Sequence, residues 1–321
     1  MNAQTSLLAG NRWKPLEPVF WVLAFVAPLV VPGHALLVSE IAITAIFALS
    51  LDLILGYTGI VSLGHAAFFG IGSYTAALFA KHVMPDPLVG LVAAVAVSTV
   101  LGAVCSLTIM RGTDLTRLMV TLGMALILLE LANKLDWLTG GADGLQGVVL
   151  GPVLGRFEFD LTGRTAAFYA LAVCLVVFLL VRRLVHSPFG STLKAIRDNR
   201  LRAMAIGIPV TSRLAVIYTI AAGVAGLAGG LLAQTTGFAS LDVFAFDRSA
   251  DLMLMLVIGG TGWLWGGIAG AIVFKLMHNV ISAITPQYWT FWIGLFLVIL
   301  VMVGREKLLR PWTWFGKVKS S

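Results

Sequence analysis

Long uninterrupted apolar runs limit what this chain can fold into more than any other feature. A helix needs about 20 mostly apolar residues to cross the roughly 30 Å of hydrocarbon in a bilayer, and it satisfies its own backbone hydrogen bonds there. Only 12% of the 321 residues are charged, whereas soluble domains average about 25%. Eight candidate spans lie at about residues 18–33, 35–55, 62–80, 88–110, 116–135, 166–181, 214–234 and 288–304. The sequence therefore predicts an all-α integral membrane protein with about eight transmembrane helices.

Basic residues predict how these spans are oriented. With the N-terminal lead 1–17 in the cytoplasm, the segment 182–213 and the basic tail 305–321 are also cytoplasmic and hold most of the lysines and arginines. The loops 136–165 and 235–250 then lie outside and are acidic. Because cytoplasmic loops carry an excess of Lys and Arg, we expect both termini inside. The net charge of +7 then reflects membrane orientation and gives no reason to expect nucleic-acid binding.

Residues 251–284 do not fit a single crossing, which would place the basic tail outside. Two complete crossings would need about 40 residues, and the stretch is shorter. We therefore expect it to enter from outside, break at Gly-Gly-Thr-Gly (259–262) and return as a re-entrant hairpin. Such a hairpin is tolerated only where protein or a water-filled cavity covers its broken backbone.

The break has a counterpart near the second span. Gly-Tyr-Thr-Gly (56–59), followed by Gly64 and Ala66, has the pattern G-x-T-G-x4-G-x-A. The segment 259–262, followed by Gly267 and Ala269, has the same pattern with the same spacing. Transporters are often built from two related halves with broken helices at matching positions. The two patterns indicate either such halves or a coincidence among 34 glycines.

Glycine is too dense around 56–72 for a regular helix, which indicates unwinding or close backbone approach beside a pathway. The histidine at position 65 is either a satisfied hydrogen-bonding group, the commoner case, or a proton relay. The candidate pathway residues are Gly56, Thr58, Gly59, Ser62, Gly64, His65, Gly259, Gly260, Thr261 and Gly262.

Two acids fall within predicted spans, Asp52 near an inner end and Glu130 near an outer end. Intramembrane acids are candidates for a functional role. Both side chains could instead reach the membrane–water interface or hydrogen-bond to neighbouring helices. Lys134 lies one turn after Glu130 and could pair with it. An ion-coupled secondary transporter would use one of these acids as its coupling site.

The basic segment 187–209 is predicted to form two short helices. Ser187 can cap the first with Pro188 at its first position, and Gly207 with Pro209 ends the second. Phe189, Leu193 and Ile196 share one face, and a continuous helix would bring Arg200 into that face, so a break near 198–199 is expected. The second helix would bury Leu201, Met204 and Ile208 and expose Arg200 and Arg202. Such a segment is either a basic loop facing anionic lipid or a docking surface for a cytoplasmic partner.

Catalytic chemistry has little support in the sequence. There is no G-x4-G-K-[ST] loop to hold ATP phosphates, and no His or Cys spacing typical of a metal site. Cys105 and Cys174 lie inside apolar runs and are interpreted as buried thiols. A membrane-embedded enzyme would need converging polar residues, which the sequence does not offer. We expect no catalytic residues, no metal and no cofactor bound by this chain.

Four stretches together resemble one family, the LivM-type permease subunit of branched-chain amino acid ABC transporters: 56–78, 139–145, 187–209 and 256–270. The resemblance covers about residues 35–304 and implies one permease domain over 18–304. It implies an importer in a bacterial inner membrane, with a second homologous permease subunit and an extracytoplasmic substrate-binding protein. Two ATP-binding-cassette ATPase subunits would hydrolyse ATP with Mg²⁺ in place of this chain.

Carried over by position, the segment 187–209 resembles the cytoplasmic coupling segment of that family. It departs from the family at Arg200 and Met204, where relatives often carry acids, and Asp52 stands where relatives often have Asn. The solute implied is a branched-chain amino acid or a similar small polar compound, with urea, short amides and aromatic acids also possible. The candidate ATPase-coupling residues are Phe189, Leu193, Ala195, Ile196, Arg197, Asp198, Arg200, Ala203 and Gly207.

Overall fold

The computed structural model describes residues 16–30, 33–110, 112, 114–160 and 162–303, so the predictions for the N-terminal lead before residue 16 and for the basic tail lie outside the described residues. Within them the regular structure is helical, with two isolated β-bridges. Two 3-10 turns, Gly141–Asp143 and Leu241–Phe244, accompany the α-helices. The helices are α1 (Leu16–Val30), α2 (Ala35–Thr58), α3 (Ala66–His82), α4 (Pro87–Ile109), α5 (Asp114–Lys134), α6 (Asp136–Thr139), α7 (Arg164–Val185), α8 (Pro188–Asp198), α9 (Arg200–Ala205), α10 (Val210–Thr236), α11 (Phe246–Gly259), α12 (Leu264–Ile284) and α13 (Trp289–Val303).

Six of these helices are long and apolar enough to cross a membrane: α2, α4, α5, α7, α10 and α12. The expected spans correspond to α1 to α5, α7, α10 and α13, of which α1 and α13 extend over 15 described residues each. The prediction of an all-helical integral membrane protein is confirmed. Helix α2 is mostly buried and packs against α7, α10 and α12, so it lies at the centre of the bundle.

Small residues let the central helices approach closely. A Cβ atom on Gly72 of α3 would overlap the Gly226 backbone of α10, and one on Gly229 of α10 would overlap the Phe69 carbonyl of α3. Close approach between small residues is the usual way in which helices pack within lipid. The glycines of α3 therefore serve packing inside a regular helix, and the unwinding expected around 56–72 is confined to residues 59–65.

Contacts define two ends of the bundle. At the end where α8 and α9 lie, Glu17 at the start of α1 pairs with Arg182 at the end of α7. At the opposite end, the Leu145 nitrogen donates to the Ala239 carbonyl at 2.8 Å. The two loops predicted to be external therefore meet at one end, and the basic segment lies at the other.

The stretch 251–284 breaks where the sequence predicts, but its second arm is longer than a re-entrant hairpin requires. Helix α11 ends at Gly259, and α12 begins at Leu264 and has 21 residues, enough to cross a membrane. Helix α11 has 14 residues and spans about 21 Å. Its first turn is held inside the bundle by Ser249, which is buried and accepts a hydrogen bond from the Ala66 nitrogen at 2.9 Å, and Phe244 just before the helix packs on Gly70. A 14-residue helix is therefore followed by a full-length one.

Candidate functional site

The segment 187–209 forms the two helices that the sequence predicts. The Ser187 hydroxyl accepts a hydrogen bond from the Gly190 nitrogen at 3.3 Å and caps α8. Asn199 is the break, and its side chain accepts a hydrogen bond from the Arg202 nitrogen at 2.9 Å, capping α9. Leu193 and Ile196 are buried, so α8 is anchored to the bundle through its predicted apolar face.

The prediction for the faces of α9 is wrong for Leu201 and Met204, whereas Arg202 is exposed as expected and Ile208 is half-buried against the core. Leu201 is 75% exposed and Met204 is 47% exposed, while Ala203 is the buried residue of this helix. Helix α9 has only six residues and rests on the bundle through that alanine, so its longer apolar side chains point outward. Ile206, which follows the helix, is 69% exposed. We call Leu201, Met204 and Ile206 the α9 patch.

The remaining candidate coupling residues are distributed over α8, α9 and the turn that follows. Phe189 is half-buried under Arg213, whose guanidinium lies 5.3 Å from the ring centroid. Gly207 has a φ of +85°, the left-handed conformation that glycine adopts freely, and it turns the chain towards α10. Ala195 and Arg200 are half-buried, and Asp198 is exposed.

Arg197 of α8 connects this segment to the centre of the bundle. Its Nη1 donates a hydrogen bond to the Gly56 carbonyl near the end of α2. One turn earlier on α2, Asp52 is buried, and its Oδ1 accepts a hydrogen bond from the Gly262 nitrogen at 2.8 Å. The two G-x-T-G segments, one ending α2 and one joining α11 to α12, therefore meet against α8. We call Asp52, Gly56, Arg197 and Gly262 the junction.

Glycine is required at the junction for two reasons. A Cβ atom on Gly56 would overlap both Asp52 Oδ1 and the Gly262 nitrogen. Gly59 and Gly262, the last residues of the two motifs, have φ values of +76° and +74°. The motifs thus end in the same left-handed conformation at the same end of the bundle. That they mark two related halves stays a prediction.

A second group of candidate pathway residues is buried deeper in the bundle. His65 Nε2 is 2.8 Å from Ser50 Oγ of α2, and His65 and Ser62 are both fully buried. The residue after His65 donates its backbone N–H to Ser249 of α11. A Cβ atom on Gly64 would overlap the Thr121 carbonyl of α5. This polar layer joins α2, α3, α5 and α11, and sequence reasoning missed Ser50 and Ser249 because serines within apolar helices carry no local signal.

The other candidate residues have local roles. Thr58 Oγ1 donates to the Ile54 carbonyl at 2.6 Å within α2. A Cβ atom on Gly259 would overlap the Gly266 carbonyl, so this glycine lets α11 pack on α12. Gly260 has a φ of +101°, and Thr261 is exposed in the turn.

The two predicted intramembrane acids are in different environments. Glu130 is exposed on α5 and lies 3.7 Å from Lys134, with side chains 59% and 74% exposed. Asp52 is buried at the junction. The structure therefore does not bring the two acids together. Among the described residues, no group of three or more His, Cys, Asp or Glu side chains could hold a metal ion.

At the opposite end of the bundle, a cavity of about 440 Å³ opens beside the 139–145 loop. Charges of both signs line it, with Lys81 and His82 from the end of α3 and Asp136 and Asp143 from the loop. Lys81 also donates to the Gln146 carbonyl at 3.3 Å.

A bundle of apolar helices with a basic helical segment at one end is the architecture of a multi-pass membrane protein. The model of the family described as "branched-chain amino acid transport system / permease component" matches residues 35–303, and the chain belongs to that family.

Named relatives agree with this assignment. The chain is 28% identical to the high-affinity branched-chain amino acid transport system permease protein LivM of Salmonella typhimurium, covering 91% of this chain and 73% of that protein. It is 22% identical to LivH of Escherichia coli, covering 81% of this chain and 88% of that protein. It is 26% identical to the ribose import permease protein RbsC of Bacillus subtilis, covering 49% and 53%. No solved structure matches the chain.

Proposed function

We propose that this chain is a membrane subunit of an ATP-driven importer for branched-chain amino acids or similar small polar solutes, energised by separate ATPase subunits that dock on 187–209. The observation that carries the proposal is the α9 patch, an exposed apolar surface at the end of the bundle that holds the basic segment. Membership of the permease family and the similarity to LivM support it.

The surroundings of the α9 patch favour a protein partner over lipid. Arg202 is exposed within the same short helix, and Lys194 and Asp198 are exposed on α8. An apolar centre with a charged rim is the usual anatomy of a protein–protein interface. By the positive-inside rule, the basic rim supports a cytoplasmic location for this end, where an ATPase would be found. A partner with an apolar groove and an acidic rim would match it in charge.

The placement of α8 and α9 suits them to act as a lever. They connect α7 directly to α10, and α10 packs closely on α3 and α4. Closure of an ATPase pair would displace the segment and with it the flanking spans. The glycine-rich breaks at 59–65 and 260–263 would then let the bundle switch between outward and inward access.

The proposed assembly includes a second permease subunit and an external substrate-binding protein. Similarity to both LivM and LivH supports pairing between two related permeases. The mixed-charge cavity beside the 139–145 loop lies at the end opposite the ATPases, where a binding protein would deliver solute. Neither partner requires this chain to bind nucleotide.

An ion-coupled secondary transporter is the second candidate, favoured only by the burial of Asp52. That carboxylate accepts the Gly262 N–H, which gives it a structural use. Glu130, the other acid such a mechanism would use, is exposed and paired with Lys134. The two candidates differ in energy source, so solute uptake by the second would survive ATP depletion and fail when the ion gradient collapses.

Affinity purification of the tagged chain from its native membrane tests the proposal. We expect a P-loop ATPase and a second permease to co-purify, and the Leu201→Ser/Met204→Ser double variant to lose most of the ATPase while keeping the permease. Burying a leucine contributes about 1.5–3 kcal/mol, so the ATPase yield should fall more than tenfold. The control variant Val149→Ser/Leu154→Ser alters exposed apolar residues at the opposite end of the bundle and should retain the ATPase.

Two results would contradict the proposal. One is a chain that purifies without any ATPase and still transports in ATP-free liposomes. The other is an equal ATPase yield from the α9 variant and the wild type.

A further inference from the structure

The junction is the place where three separate parts of the chain are held by two side chains. Arg197 of α8 bonds to the end of α2, and Asp52 of α2 bonds to the α11–α12 turn. Gly262 is pressed against the other members, since a Cβ atom there would lie 2.8 Å from the Gly56 carbonyl and would crowd Arg197. Displacement of α8 or of the turn must therefore move α2 or break its bond to α2, and displacement of α2 must move or break both bonds.

The bond from Arg197 uses a carbonyl that the helix leaves free. The last four carbonyls of an α-helix have no intrahelical partner, and Gly56 lies within the last turn of α2. The Gly59 nitrogen bonds to Leu55 and the Ile60 nitrogen bonds to Ile54, so neither takes the Gly56 carbonyl. A guanidinium at a helix C-terminus is also favoured by the helix dipole. Arg197 is thus a specific attachment of α8 to α2.

The hydrogen bond that Asp52 accepts from Gly262 extends this attachment to the α11–α12 turn, which holds the second G-x-T-G motif. Asp52 precedes Gly56 by four residues, so both lie on the same face of α2. Burying a carboxylate is costly unless hydrogen bonds compensate, and the Gly262 N–H supplies one while Arg197 attracts the charge. The carboxylate therefore holds the α11–α12 turn at the end of α2.

We infer that Arg197 and Asp52 are positioning residues that form a relay, carrying movement of α8 first to the end of α2 and then to the α11–α12 turn. The inference rests on the proposed function, because an ATPase must move α8. Through the relay, one movement of the basic segment displaces both G-x-T-G breaks together. Helices α7 and α10, which flank the segment, do not make these two bonds.

The first test measures solute uptake and ATP hydrolysis by the complete complex in proteoliposomes. Asp52→Ala removes the acceptor, whereas Asp52→Asn keeps a side-chain oxygen that can accept from Gly262. A hydrogen bond to a charged group is worth about 1.5–3 kcal/mol, so uptake per ATP should fall at least about tenfold in Asp52→Ala and Arg197→Ala. Asp52→Asn should lose less than Asp52→Ala, because its amide oxygen can still accept from the Gly262 N–H, with about half the strength of a charged acceptor. Glu158→Ala and Arg156→Ala, exposed residues of the opposite loop, are the matched controls.

The double variant separates a relay from two independent structural effects. If both bonds act in series, breaking one already interrupts the relay. The double variant Asp52→Ala/Arg197→Ala should then show the same uptake per ATP as the more impaired single variant. Multiplicative losses in the double variant would overturn the relay.

The second test follows the α11–α12 turn directly and does not depend on transport. Thr261→Cys is exposed in that turn and Ser191→Cys on α8, while the natural Cys105 and Cys174 are buried. We expect the thiol-labelling rates at both positions to change when the ATPases are trapped with vanadate. In the Asp52→Ala background the response at Thr261→Cys should disappear and that at Ser191→Cys should remain.

The outcomes distinguish the inference from the proposed function. A nucleotide response at Thr261→Cys that persists in Asp52→Ala overturns the relay and leaves the importer standing. If no ATPase co-purifies with the wild type and neither position responds, both the importer and the relay are wrong.

Discussion

At the residue scale, positions that look alike in the sequence differ in what surrounds them. Gly56 is packed against Asp52 and the Gly262 nitrogen, whereas a Cβ atom on Gly123 of α5 would meet no atom within 4 Å. Both lie in apolar helices long enough to cross a membrane. Only the contact decides whether a methyl group is tolerated, so the cost of substitution follows the tertiary environment rather than the residue type.

Gly56→Ala should therefore destabilise the protein, because the added methyl group forces the α11–α12 turn away from α2. Overpacking of this kind costs about 1–3 kcal/mol. Gly123→Ala should be neutral or stabilising by up to about 1 kcal/mol, since alanine favours helix. Thermal unfolding in detergent, followed by size-exclusion chromatography, measures both. Equal melting temperatures for the two variants would show that the approach at Gly56 is not tight.

At the scale of elements, two short capped helices are separated by a single residue. Ser187 caps α8 and Asn199 caps α9, and Asn199 also ends α8 with an extended backbone (φ −160°). Separate caps let α9 turn away from the direction of α8. The turn brings Ala203 onto the bundle and directs Leu201 outward. The α9 patch thus depends on where one helix stops and the next begins.

Asn199→Ala should loosen α9 and leave α8 intact. Losing such a cap costs about 0.5–2 kcal/mol, so amides within 202–205 should exchange several-fold faster with deuterated solvent. Ser187→Ala is the reciprocal control and should speed exchange at the start of α8. Hydrogen-exchange mass spectrometry of the purified chain measures both effects. Unchanged exchange in α9 after Asn199→Ala would contradict the capping role of that side chain.

At the scale of the whole molecule, the two ends of the bundle carry different polar features. One end holds the basic segment and the junction, and the other holds the meeting loops and the mixed-charge cavity. The polar layer around His65 lies between them. This division fits a protein that faces different partners on the two sides of a membrane.

Orientation is testable with single cysteines at the two ends. In intact cells, Gln146→Cys should react with a membrane-impermeant thiol reagent, because the loop it belongs to is expected outside. Ser191→Cys on α8 should react only after the membrane is permeabilised. The natural cysteines are buried, so the parent chain gives the background. Labelling of Ser191→Cys in intact cells, with Gln146→Cys protected, would reverse the orientation.

The sequence by itself determined the class of protein, the Ser187 cap and the break of the basic segment, and the break at 259–262. These features follow from local physics: apolar length sets membrane spans, serine and asparagine cap helices, and paired glycines end them. Only the tertiary structure decided that Asp52 meets Gly262, that Arg197 meets Gly56 and that His65 meets Ser50. It also decided that Leu201 is exposed and that α12 is a full-length helix. Such contacts join residues far apart in the chain, and a local pattern encodes which face a helix can bury but not which neighbour will cover it.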